Sequence, residues 1–277
     1  MNHDLVLDDM IKNALREDIG TGDITSLSTV DADRTASGRL VAKSDLVVCG
    51  IEVAARVFFL VDETTRFTIH TPDGTEVRTG TVLAEVAGHA RSILTAERVA
   101  LNFLQRMSGI ATRTRVCVRA VEGTKARITD TRKTVPGLRV LDKYAVRIGG
   151  GSNHRFNLAD GVLIKDNHIR AAGGIRHAVD AARKMIPHTL KIEVEVENLS
   201  MVEEALACGT EIIMLDNMSL TDMTAAVQLV NGRALIEASG NMGDKDLLKV
   251  ARTGVDLISI GALTHSVTAA DISLKFD

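Results

Sequence analysis

Between Ile128 and Ile169 the sequence runs ITDTRKTVPGLRVLDKYAVRIGGGSNHRFNLADGVLIKDNHI, gathering Arg132, Lys133, His154, Arg155 and Lys165 beside turn-forming glycines. The whole chain carries a formal net charge of only −3, so this concentration of cations is local. Guanidinium groups grip carboxylate and phosphate in a bidentate fashion, whereas an ammonium supplies a compact point charge. Their mixture suits a small molecule carrying several negative charges. A solvated basic face is the bland alternative, but these residues alternate with apolar strand and helix signals instead of forming one exposed tract.

A second group of chemistry-bearing residues follows short apolar runs. Asp216 closes IIML, Ser239-Gly240-Asn241 follow LIEA, and Gly261 follows LISI. In KIEVEVEN, a strand would turn Glu193, Glu195 and Glu197 to one face and Ile192, Val194 and Val196 to the other. If the apolar face meets helices, the glutamates point inward. An unpaired carboxylate there would cost several kcal/mol, on the order of the usual burial penalty, so it needs cations, a metal or donors. A salt-bridge layer filling the sheet interior is the structural alternative, and it suits Glu193 better than Glu195. The glycines at Ser239–Asn241 and Gly261-Ala262 precede helical patterns and are placed to offer backbone donors to phosphate.

The elements that position these groups follow from periodicity. Apolar residues at Leu5, Met10, Ile11, Ala14 and Leu15 predict an N-terminal helix ending at the Gly20–Gly22 loop. Arg39–Ala42, Leu46–Cys49, Arg66–His70 and Val82–Ala87 read as strands, with a helix over Ile51–Leu60 and a turn at Pro72-Asp73-Gly74. A long helical pattern runs from Thr95 to Val121, interrupted at Gly109. Beyond Gly123, strands at 127–129, 162–164, 192–196, 212–215, 235–237 and 257–260 alternate with helical stretches. That rhythm describes βα units around a parallel sheet. The lack of a dinucleotide glycine fingerprint favours a barrel over an open sheet. In a βα barrel the strand C-terminal ends converge on one site, which is where the suspect residues fall.

Composition narrows the function classes. A pI near 6.3, no tryptophan and one tyrosine argue against a nucleic-acid partner. No stretch approaches the roughly 20 apolar residues that span a bilayer, and MNHDLVLDDM lacks a signal-peptide core, so no membrane association and a cytoplasmic location are expected. Cys49, Cys117 and Cys208 are widely spaced and read as reduced structural thiols.

The segments TDTRKTVPG and YAVRIGGGSNHRFNLADGVLIKDNHI, with EVEVEN, IIMLDN, IEASGN and ISIGALTHS, resemble quinolinate phosphoribosyltransferase, the carboxylating nicotinate-nucleotide pyrophosphorylase. The resemblance also takes in REDIGTGDIT from Arg16 to Thr25 and LTAERVALNFLQRMSGIAT from Leu94 to Thr112, and so covers nearly the whole chain. It implies an α/β protein: an N-terminal α/β sandwich over residues 1–110, to which a tail from about 265 to 277 returns, and an incomplete α/β barrel of βα units over 111–264. The implied reaction joins quinolinate and 5-phosphoribosyl 1-diphosphate to give nicotinate mononucleotide, diphosphate and CO₂ in de novo NAD synthesis. By the same resemblance Arg132, His154 and Arg155 grip the dicarboxylate and Lys133 and Lys165 lie near both substrates, while Ser239, Gly240, Asn241 and Gly261, by their placement after strands, are expected to bind the donor's phosphate. Glu195 and Asp216 hold the ribose and Mg²⁺, directly or through water or substrate. Lys133, Lys165, Glu195 and Asp216 are the expected catalytic set. Arg98 is expected to enter the neighbouring site of a homodimer.

Three rivals have distinct signatures. Another phosphoribosyltransferase of the same fold, including the molybdenum-associated relatives, would have no need of the dicarboxylate grip. A barrel aldolase would use Lys165 of VLIKD as a Schiff-base nucleophile. A non-catalytic anion-binding protein would turn over nothing.

Overall fold

The computed structural model describes residues 4–276; Met1–His3, part of the acidic start read above, and Asp277 lie outside the described residues. The chain forms two compact units, one of residues 1–113, 136–149 and 267–277, the other of 114–135 and 150–266.

The first unit begins with helices α1 (Asp4–Ile19) and α2 (Ile24–Thr29), followed by strands β1 (Thr35–Ala42) and β2 (Leu46–Val47) and helix α3 (Ile51–Val61). Strands β3 (Arg66–Ile69), β4 (Glu76–Val77) and β5 (Val82–His89) lead into the long helix α4 (Ala90–Ala120), which ends in the second unit. Helix α5 (Arg139–Ile148) and the C-terminal strand β12 (Ile272–Phe276) also belong to the first unit. An antiparallel sheet runs in the order β12-β1-β5-β3, and β2 pairs with β4. Its core includes the fully buried Leu40, Leu83, Ile93, Leu104 and Phe58, each contributing roughly 1.5–3 kcal/mol by burial.

Two features depart from the sequence reading. Helix α4 is continuous through Gly109 instead of breaking there. A Cβ on Gly109 would collide with the carbonyl oxygen of Thr268, so this glycine serves the close approach of the returning tail. The contiguous boundary expected near residue 110 also fails to capture α5, which is tied to the first unit by ion pairing. Fully buried Asp142 accepts from Arg106 Nε and Nη2 at 2.9 and 2.8 Å, and Tyr144 donates to Asp73 at 2.9 Å.

The second unit is built on six parallel strands: β6 (Arg127–Thr129), β7 (Val162–Ile164), β8 (Ile192–Val196), β9 (Ile212–Asp216), β10 (Leu235–Ser239) and β11 (Leu257–Ser259). Helices α6 (Asp166–Ala172), α7 (Ile175–Met185), α8 (Leu199–Ala207), α9 (Leu220–Val230), α10 (Leu247–Arg252) and α11 (Ala262–His265) connect or follow them. The ladder order is β6-β11-β10-β9-β8-β7, and β6 and β7 do not pair with each other. Instead Ser152 bridges Thr129 in parallel beside the open edge. The result is an incomplete barrel.

Candidate active site

Strand geometry sends alternate side chains to opposite faces, and β8 shows the consequence. Ile192, Val194 and Val196 are buried on one face, while Glu193 and Glu195 turn to the other. The Glu195 carboxylate is ion-paired with the ammonium of Lys165, the residue immediately after β7. The Lys165 backbone N–H donates to His168 Nδ1 at 3.0 Å, fixing the start of α6. With its amine paired to a carboxylate, Lys165 is not set apart as a desolvated Schiff-base nucleophile, which disfavours the aldolase rival.

The loop after β6 is braced from two sides. Lys133 donates its backbone N–H to Thr131 Oγ1 at 3.0 Å, and its carbonyl accepts from Thr264 Oγ1 at 2.9 Å. Its methylene stem lies across Gly261 after β11, where a Cβ would come within 3.0 Å of Lys133 Cδ. Asp216, the last residue of β9, is half-buried and accepts from Asn217 Nδ2 at 2.9 Å. Asn217 N–H donates to Ser239 O at 3.1 Å, and Gly240 follows with φ +92°. A side chain on Gly240 would overlap both the amide and backbone of Asn217, so glycine is required for the close approach of these two strand ends. The Ser239–Asn241 and Gly261 loops were expected to open helices. They lead only into a three-residue 3₁₀ turn (Met242–Asp244) and the four-residue α11, so any donors they offer are individual backbone amides, not the dipole of a long helix.

The segment beside β6 carries the dicarboxylate candidates. Buried Asp130 accepts from Asn153 Nδ2 at 2.6 Å and from His154 N–H at 2.8 Å, pinning the backbone that presents His154 and Arg155. Arg155 Nη1 donates to Gly161 O at 2.9 Å. Burial, and then the positive charge of Arg132, hold the Arg155 guanidinium below its ordinary pKa. A guanidinium whose charge is disfavoured by burial and by a second guanidinium nearby marks a place that an anion relieves.

His154 is engaged at both ring nitrogens. Its Nδ1 accepts Arg155 N–H at 2.7 Å, and its Nε2 faces Glu193 Oε2 at 3.1 Å and Glu237 Oε2 at 3.7 Å. Burial works against the imidazolium, but the hydrogen bond to Glu193 and the field of Glu237 outweigh it and raise the His154 pKa. The three ligand-type atoms lie within 4.8 Å of one another, as a metal site would require. An Nδ1 that accepts a backbone N–H leaves the neutral ring's proton on Nε2, however, and a protonated nitrogen does not coordinate a metal. The cluster is thus better suited to holding a proton than a metal.

A cavity of about 570 Å³ reaches this cluster. His154, Glu193 and Glu237 line it together with Arg127, Ile212 and Leu257, which are the first residues of β6, β9 and β11. Lys133, Lys165, Glu195 and Asp216 do not line it. It is therefore a pocket open to solvent at the strand N-terminal ends, lined also by Arg155 and lying away from the C-terminal strand ends that carry Lys165, Glu195 and Asp216.

Most of the expected residues meet in pairs or small groups: Lys165 with Glu195, Lys133 with Gly261, Asp216 with Ser239–Asn241, and Arg132 with Arg155. Arg98 is exposed on α4 in the first unit. Sequence reasoning missed Glu237 and the anchoring roles of Asp130 and Thr264. The signal for Glu237 was available in LIEAS, where it shares a strand face with Ser239.

Residues 23–108 match the family model for the N-terminal domain of quinolinate phosphoribosyl transferase, and residues 110–275 match that for its C-terminal domain. The chain is 44% identical over 274 residues to a probable nicotinate-nucleotide pyrophosphorylase [carboxylating] of Bacillus subtilis (strain 168), covering 99% of this chain and 94% of the relative. It is 46% identical to a probable enzyme of the same name from Synechocystis sp. (strain ATCC 27184 / PCC 6803 / Kazusa), covering 98% and 92%. Among solved structures, the nicotinate-nucleotide pyrophosphorylase from Ehrlichia chaffeensis superposes with a TM-score of 0.94 at 44% identity, covering 98% of each chain.

Proposed function

The chain belongs to the quinolinate phosphoribosyltransferase family, and from that premise we propose how its barrel residues carry out the decarboxylating transfer of a phosphoribosyl group to quinolinate, the step that yields nicotinate mononucleotide for NAD synthesis. The observation that carries the substrate assignment is the juxtaposition of Arg132 and Arg155. A pyridine with two adjacent carboxylates neutralises both guanidiniums at once, and a monocarboxylate neutralises one. His154 stands behind this grip, with Nδ1 on the Arg155 amide and Nε2 on the buried carboxylates. Equilibrium binding of pyridine-2,3-dicarboxylate and pyridine-3-carboxylate tests the assignment: strong preference for the dicarboxylate is expected, and equal affinity contradicts it.

At the strand ends, Lys133 and Lys165 balance the departing diphosphate, while Ser239, Gly240, Asn241 and Gly261 cradle the donor's phosphates. Fixed charges aimed at developing charge lower the barrier without reorganising. Glu195 and Asp216 receive the ribose hydroxyls and support Mg²⁺. Hard carboxylate oxygens fit that ion, but Glu195 is already paired with Lys165. Asp216 is therefore the better direct ligand, and Glu195 acts through water or the sugar. Mg²⁺, when bound, neutralises diphosphate charge. Glu195→Gln and Asp216→Asn are each expected to lower turnover and alter its Mg²⁺ dependence, and wild-type activity across a Mg²⁺ titration would return both carboxylates to a structural role.

We assign the working form as a cytoplasmic homodimer in which Arg98, exposed on α4, completes the partner's site. Mixed Arg98→Ala and Lys133→Ala chains, allowed to exchange subunits, would then recover roughly a quarter of wild-type activity by symmetry. Verified exchange with no recovery rejects the shared site.

A further inference from the structure

We propose that Glu237 supplies the proton that replaces the departing carboxylate on the pyridine ring, a role that rests on the decarboxylating reading above. Once the ring nitrogen carries the ribosyl group, the bond between the neighbouring ring carbon and its carboxylate breaks. The carboxylate leaves as CO₂, and the electron pair stays on the ring carbon beside the cationic nitrogen. That pair takes a proton from the Glu237 carboxylic acid to form the new C–H bond, leaving Glu237 as carboxylate. Solvent then returns one proton to Glu237, so the cycle consumes one proton and needs no other reactant.

The geometry supports this in three ways. Glu237 and Glu193 are almost wholly buried in the same cluster, and each keeps one carboxylate oxygen, Oε1, without a hydrogen-bond partner. Two enclosed carboxyl groups packed around one imidazole favour keeping a proton within the cluster. Glu237 is the group that burial, and then the charge of Glu193, push up to about 7. Second, Glu237, His154 and Arg155 line one pocket, so the stored proton and the dicarboxylate grip open onto the same space. Third, the pocket that Glu237 lines reaches the strand N-terminal ends, where water can return a proton to the carboxylate. The charged or titratable groups acting on Glu237 are Glu193 from β8, His154 from the segment beside β6, Lys165 after β7 and the Ser259 hydroxyl from β11.

The test is a proton competition in mixed H₂O and D₂O, with the hydrogen-to-deuterium ratio at the new ring C–H bond read by NMR. Glu237→Gln is close in shape but cannot hold an acid proton. Its turnover should fall about tenfold or more, with the KM of each substrate within about twofold. Its isotope ratio should move away from the wild-type value, because another donor now delivers the proton. Glu193→Gln should retain the wild-type ratio, since Glu237 still donates. If Glu237→Gln does not accumulate as folded protein, Glu237→Asp, which withdraws the acid by one methylene, should show the same displaced ratio. A wild-type ratio in the folded Glu237 variant overturns the proposal. Failure of the wild-type chain to turn over quinolinate overturns the decarboxylating reading instead.

Discussion

The two units bury charge in opposite ways. In the first, Asp142 is fully enclosed and both its oxygens accept from Arg106, while Asp73 accepts from the Gly50 and Ile51 amides at the start of α3 and from Tyr144. In the second, Glu193 and Glu237 are equally enclosed, yet each keeps an oxygen with no partner, and so does the buried Nε of Arg155. A buried ion pair with every donor matched fixes a fold. Buried groups left partly unmatched cost stability, and a protein that keeps them uses them. The contrast concerns these acids alone: Asp130 in the second unit is buried and fully matched, and the first unit buries unpartnered hydroxyls on Thr65 and Ser273.

The largest expected effect breaks the structural half of this contrast. Asp142→Ala leaves the partly exposed Arg106 without this carboxylate and should lower stability by up to about 3–5 kcal/mol. Chemical denaturation measures it, and binding of quinolinate to whatever fraction remains folded should be unchanged. In the second unit, Lys165→Met removes a cation from the strand ends and unpairs Glu195. Turnover should drop by roughly 10²–10³-fold, about 2.7–4 kcal/mol, with only a small change in denaturation midpoint. A variant that unfolds without losing specific activity would place Lys165 with the structural pairs.

Smaller effects sharpen the boundary. Arg132→Ala and Arg155→Ala should each weaken quinolinate by about 1.5–3 kcal/mol while leaving donor affinity within experimental scatter. Separate calorimetric titrations of the two ligands decide this, and parallel weakening would show a general loss of positive potential. Tyr144→Phe removes one hydrogen bond to Asp73 and should cost about 1 kcal/mol of stability, seen as a fall of a few degrees in Tm, with catalysis untouched.

How much of this was legible in the sequence follows from which forces act locally. The six barrel strands were readable because each apolar run is short and bounded by polar or glycine residues, and the Glu193/Glu195 alternation correctly announced an inward face. Helix α4 was misread at Gly109, because a glycine that admits the tail at Thr268 looks in sequence like one that breaks a helix. The membership of α5 in the first unit depended on Arg106 meeting Asp142 across 36 positions, a pairing no local pattern encodes. At the site, the cations and strand-end acids stood out by type and position. Glu237 did not, since a single glutamate in an apolar strand becomes informative only when Glu193 and His154 are found beside it.

The most direct measurement supplies the purified chain with quinolinate, 5-phosphoribosyl 1-diphosphate and Mg²⁺ and follows nicotinate mononucleotide and CO₂ in the same sample. The two products should appear one for one and cease when either substrate is withheld. Nucleotide formed without CO₂, or no nucleotide at all from folded protein, would contradict the assignment of this barrel to decarboxylating phosphoribosyl transfer.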